Sequence, residues 1–151
     1  MALHYAEQIL VSVLAKLKAA PVVSVLPVNV ERDRVDPVET GVPAIGLEMG
    51  SDEPVDQENK NMAFIDSHLE IEVDIYVKNT TGVSTELNLI RQEVHQALMV
   101  DRLQGLPAIV SDTRYLGASE PLLEGDLENA AAKQTLNYQI LYRHSLTDPG
   151  A

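Results

Sequence analysis

The sequence predicts an α+β domain: a mostly antiparallel or mixed sheet of about five strands, with two main helices packed against it in the order α-β-β-β-α-β-β. Three observations predict it. Residues 68–78, "HLEIEVDIYVK", put Leu69, Ile71, Val73, Ile75 and Val77 on one face of a strand and Glu70, Glu72, Asp74, Tyr76 and Lys78 on the other, the period of a half-buried strand. Residues 131–143 repeat that alternation, with Leu136, Tyr138, Ile140 and Tyr142 opposite Thr135, Asn137, Gln139 and Arg143. Residues 3–19 and the stretch after Ser84 carry apolar residues at i, i+3, i+4 and i+7 instead, the stripe of an amphipathic helix. Strands adjacent in sequence and joined by turns favour antiparallel pairing with the helices on one face.

In chain order, the first helix rests on Ala6, Ile9, Leu10, Val13, Leu14 and Leu17, with Lys16 and Lys18 where the helix dipole favours cations. The same segment has no early basic residue, and Glu7, Gln8, Lys16 and Lys18 interrupt it, so a helix is expected here and not a signal peptide. Pro21 and Pro27 bracket a linker. "VNVERDRV" (28–35) reads as a short, charged edge strand, "DPVETGVP" (36–43) as a turn, and "AIGLEM" (44–49) as a second strand ended by Gly50. Residues 50–61, "GSDEPVDQENKN", are polar, acidic and contain Pro54, the composition of a mobile loop. A long strand over 62–78 pairs antiparallel with 44–49. Ser84 or Thr85 is positioned to cap the second helix, which presents Leu87, Ile90, Val94, Ala97 and Leu98 on one face up to about Val100. Gly105 and Pro107 break the chain before a strand at 108–118, and 119–129 is an acidic turn region before the last strand. One domain spans 1–145, and 146–151 is a flexible tail.

Composition narrows the function classes. Eleven basic against 23 acidic residues leave a net charge of −12, opposite to the basic face that phosphate neutralisation on duplex DNA requires. With 45% hydrophobic but only 4% aromatic residues, no Trp and the single Phe64, the core must be aliphatic. The absence of Cys excludes disulfides and thiolate metal ligands within the chain, and no stretch approaches the roughly 18 apolar residues of a membrane span.

The chemistry-bearing residues form few constellations. Glu70, Glu72 and Asp74 stack at i, i+2 and i+4, each repelling the next. Such a trio can act as a general acid/base set, hold a hard cation, face solvent, or present an acidic surface to a partner. Catalytic and metal sites recruit loop ligands or a positioned His, whereas these acids are regularly spaced along a strand interior. The histidines (4, 68, 95 and 144) include no i, i+4 pair and supply too few donors for zinc. "GVPAIG" (41–46) has phosphate-loop glycine spacing, but Leu47 and Glu48 stand where Lys and Ser/Thr are required. No G-x-S-x-G elbow is present. Arg32 and Arg34 fall on one face of the first strand, suited to surface ion pairs or to a neighbouring copy's carboxylates. The residues alone therefore describe an α+β domain without visible catalytic machinery, with no catalytic, cofactor or metal residue assigned.

Four stretches, in order, carry a resemblance to a family. The opening helix runs into "VNVERDRVDPVETGVPAIGLEM", with its Arg-x-Arg, Pro-containing turn and second strand. An acidic loop is followed by "LEIEVDIYVKN", then by the helix "STELNLIRQEVHQAL", and the last strand "LNYQILYRH" ends on an aromatic near the C-terminus. Over about residues 3–145 the chain resembles the tail terminator proteins of long-tailed bacteriophages, the minor tail protein U type known from phage lambda. It departs in its Pro-containing linker at 20–27 and its long acidic segment at 119–129.

The resemblance implies a non-enzymatic virion protein without cofactor, assembled in the host cytoplasm. Six copies would close into a ring at the head-proximal end of the tail, stop tube polymerisation, and offer a surface to the head–neck complex. The implied partners are further copies of the chain, the tail tube protein and the head–tail connector, with no membrane contact and the genome passing through the lumen without specific binding. Arg32 and Arg34 become subunit-interface candidates, and Glu70, Glu72 and Asp74 become lumen or interface candidates. Asp52, Glu53, Asp56 and Glu58 become contacts on a loop that orders against tube or neck. A neck or tube subunit is the neighbouring reading; an acid-dependent hydrolase or metal-binding enzyme built on the trio is the reading from another class.

Overall fold

The computed structural model describes residues 4–19, 22–33, 43–55, 63–78, 82–124, 131–145 and 147. Its elements are α1 (Tyr5–Lys18), a 3-10 turn (Pro27–Asn29), β1 (Val30–Arg32), β2 (Ala44–Pro54), β3 (Phe64–Lys78), α2 (Val83–Met99), β4 (Val110–Ala118), β5 (Leu122–Glu124) and β6 (Ala131–Ser145). The α+β class and the order of main elements are those predicted. The sheet runs β1-β2-β3-β6-β4, with β5 also on β6. It is mixed, because β1 joins β2 in parallel while the other pairings are antiparallel.

Its spine is the pair β3–β6, in register from Phe64 opposite Ser145 to Lys78 opposite Ala131. Partners in an antiparallel pair project to the same face, so Leu69, Ile71 and Val73 lie beside Ile140, Tyr138 and Leu136. This face receives both helices. Ile9, Leu10, Val13 and Leu17 of α1 and Leu87, Ile90, Val94 and Leu98 of α2 share one buried cluster with those strand residues. The opposite face holds the carboxylates.

Several boundaries differ from the sequence reading, each for a physical reason. The second strand continues through 50–54, so that part of the expected loop is strand. A bulge between Met49 and Asp52 shifts the register, and it lets Pro54 pair with Ser67 at the strand end. The first strand is only Val30–Arg32, preceded by the 3-10 turn. Neither Ser84 nor Thr85 caps α2. The cap is Gly82 at φ +77°, a left-handed conformation that side chains disfavour, whose carbonyl accepts from Glu86 N at 3.0 Å. Within the acidic 119–129 region, residues 122–124 form β5 against β6. The predicted turn at 36–43 (all but Pro43), Arg34, the loop residues 56–61 and the tail at 146–151 except Thr147 lie outside the described residues.

The 100–109 connection is held by buried polar contacts. Gln104 is fully buried at φ +54°. Its carbonyl accepts from Ser12 Oγ at 2.5 Å and its Oε1 from Lys16 Nζ at 3.0 Å, both on α1. Its Nε2 donates to the Leu98 carbonyl at the end of α2 (2.8 Å) and to Thr113 Oγ1 on β4 (3.0 Å). Thr113, also fully buried, donates its own hydroxyl hydrogen bond to the Arg102 carbonyl at 2.7 Å. One side chain thus ties both helices to the edge of the sheet. Removing it strands buried donors and acceptors, each costing about 1–3 kcal/mol. Gln104→Ala is expected to lower the unfolding free energy by about 2–4 kcal/mol in urea titration. The exposed control Val23→Ala should stay within about 0.5 kcal/mol.

Candidate functional site

The face of the sheet away from the helices is polar and acidic at its centre. Glu70, Glu72 and Asp74 of β3 lie opposite Gln139, Asn137 and Thr135 of β6, so each carboxylate has an amide or hydroxyl residue across the strand pair. Asp74 is only 2% exposed, and its Oδ1 accepts from Thr135 Oγ1 at 2.5 Å. Beyond it, Tyr76 is buried with the Lys133 ammonium 5.5 Å above its ring. Burial pulls the Lys133 ammonium down, but Asp74, Tyr76 and Glu48 outweigh it and hold it above its usual value.

Glu48 joins this surface as a fourth acid that sequence reading missed. It sits on β2 directly opposite Glu72. Burial first, then the Asp74 and Glu72 charges, push its carboxyl above the ordinary carboxylate range. The antiparallel pairing of 44–49 with β3 was legible, but its register depends on the intervening connection, so the Glu48–Glu72 juxtaposition was not. Among the described residues, no three carboxylate or imidazole groups are gathered to hold a metal ion.

The remaining candidates are scattered. Arg32 pairs with Leu47 and so projects toward the helices, where its Nη1 donates to Glu7 Oε1 of α1 at 2.6 Å. That bond lowers the Glu7 carboxyl. Arg32 is therefore engaged within its own subunit. Asp52 accepts from Tyr142 Oη at 2.7 Å, and Glu53 lies opposite His68; both belong to strand. Asp56 and Glu58, like Arg34, lie outside the described residues.

A second feature was not read from the sequence. On one flank of α2, a cleft of about 330 Å³ opens between the helix and the β4–β6 edge. Arg91 and His95 stand on its wall, and Leu136, Tyr138 and Tyr115 line its floor. Tyr138 Oη lies 3.1 Å from His95 Nδ1, and Tyr115 meets the His95 ring edge-on at 5.0 Å. Burial, then Tyr115, pushes the Tyr138 phenol upward. The i, i+4 spacing of Arg91 and His95 was the available signal, but nothing in the sequence showed that α2 would meet Tyr115 and Tyr138 there.

No family model matches the chain, and no curated protein matches it. Among solved structures, it is similar to a chain from the "Virion of native gene transfer agent (GTA) particle". The two superpose with a TM-score of 0.59 at 14% identity, covering 87% of this chain and 92% of the other. The fold is shared.

The crowding at Glu48 has a measurable sign. Its raised carboxyl holds a proton more tightly in the folded chain than in the unfolded one. Ionisation therefore costs stability above the folded pKa, and the cost disappears as pH falls through it. Glu48→Gln is expected to raise stability at pH 7 by less than about 1 kcal/mol, because water screens a half-exposed group. In denaturant titrations the gain should shrink in high salt and vanish below the carboxylate range.

Proposed function

We propose that the chain is a structural protein of a phage-type virion and, within that class, the tail terminator whose ring ends tube polymerisation and receives the head–neck complex. The observation that carries the virion reading is the shared fold, spanning nearly all of this chain and of one from a virion particle. The terminator role rests on the ordered resemblance of the helix, the Arg-x-Arg strand, the long alternating strand and the aromatic-ended last strand.

In this reading the acidic sheet face carrying Glu48, Glu70, Glu72 and Asp74 lines the lumen. Carboxylates there repel the phosphates of the passing genome and keep it from adhering. Asp74, buried and bonded to Thr135, stiffens the sheet under that surface, leaving Glu70 and Glu72 as the more accessible charges. The acidic segment containing Asp56 and Glu58 serves as the contact with tube or neck, and Arg34 as a contact with the next copy.

Deleting the gene and imaging the tails by electron microscopy tests this role. Overlong or irregular tails are expected; tails of normal length would contradict termination, and complete tails without attached heads would favour a neck subunit.

A further inference from the structure

The cleft beside α2 differs in charge from the chain around it. Asn88, Arg91, Gln92 and His95 follow one another at i, i+3, i+4 and i+7, so one face of α2 forms a polar wall. The floor is apolar: the Tyr115 and Tyr138 ring centroids lie 5.3 Å apart, and Leu136 completes it. None of the described residues lining the cleft is acidic, although the chain has 23 acidic against 11 basic residues.

Arg91 is the exception among the described arginines. Arg32, Arg102, Arg114 and Arg143 each pair with a carboxylate, that of Glu7, Asp112 or Asp66. Arg91 has no carboxylate partner among the described residues. Its hydrogen bond runs to Tyr115 Oη at 3.5 Å, the weak limit for such a contact. A guanidinium presents five N–H donors in a planar fork whose spacing matches a carboxylate, and this one leaves most of them open at the cleft wall. The Asn88 and Gln92 amides add donors on the same wall.

We infer that the cleft binds a carboxylate carried on a single-ring apolar body, with Arg91 gripping the carboxylate and the floor taking the ring. Charge selects the anion. One guanidinium can neutralise one carboxylate, whereas a net charge of −12 repels nucleic acid and other polyanions at long range. Shape selects the body. His95, Tyr115 and Tyr138 already pack ring against ring at 5.0–6.0 Å, an environment that favours another ring. A volume of about 330 Å³ lies at the lower end of ligand pockets, enough for a ring and its carboxylate. A free arylalkanoic acid and an acidic–aromatic stretch of a protein chain share this chemistry. The cleft's chemistry is independent of the tail role.

The full chain, isotope-labelled, is titrated with N-acetylphenylalanine and with N-acetylphenylalaninamide, which keeps the ring but lacks the charge. Saturable NMR shifts are expected at Arg91, His95 and Tyr115 with the acid. The amide should bind at least about tenfold more weakly, the least that a charge-assisted hydrogen bond contributes. Arg91→Gln should erase that difference, while Arg114→Gln, removing an equal charge outside the cleft, should leave it intact. The comparison of acid with amide on the parent chain stands even if Arg91→Gln misfolds. A blocked peptide with an internal Glu-Phe pair separates the sources: tighter binding than the free acid assigns the cleft to a protein segment, and weaker binding assigns it to a small acid. Equal affinity for acid and amide, or no saturable shift at the cleft with either acid or peptide, would overturn the site.

Discussion

The pairing of β3 with β6 is the constraint from which the rest follows. Fifteen consecutive positions are in register, and both strands alternate with the same parity. A slip by one residue would place Leu136, Tyr138 and Ile140 against the carboxylates and expose the aliphatic row. Parity therefore does two things at once. It makes one face dry enough to take both helices, and it gathers acids on the other face, beside the neutral polar residues of β6.

Scarcity of aromatics shapes how the dry face is filled. Tyr138 and Tyr142 are the largest fully buried side chains, and each carries a hydroxyl that needs a partner. His95 answers Tyr138, and Asp52 answers Tyr142. The Asp52 contact depends on the β2 bulge, which resets the register so that this acid pairs with Leu69. The connections are secured by polar clamps as well as by buried aliphatics such as Val22 and Val25. Gln104 holds the connection after α2, and Glu93 holds the linker after α1. Each clamp satisfies backbone groups that burial would otherwise leave unpaired.

The sequence made the class, the order of elements and the core faces legible, because hydrophobic period is a strong local signal wherever one side of an element is buried. Leu87, Ile90, Val94, Ala97 and Leu98 and the alternating rows of β3 and β6 lie on the faces their spacing implied. What stayed hidden was non-local. The extension of β2 to Pro54 is stabilised by pairing with β3, against its own acidic composition. The parallel pairing of β1 turns Arg32 under α1, which no property of "VERDRV" announces. Glu48 became part of the acidic surface only through cross-strand register, and the cleft forms where α2 meets Tyr115 and Tyr138 at the β4–β6 edge.

In the proposed role, the acidic sheet face carrying Glu70 and Glu72 is the surface turned toward the channel. A charged sheet face there repels a polyanion. Electron cryo-microscopy of intact particles tests this most directly. The expected density is a ring of this fold at the head-proximal end of the tail, with the Glu70 and Glu72 face toward the channel. Density for the chain elsewhere in the particle, or a ring in which that face points away from the channel, would contradict the account.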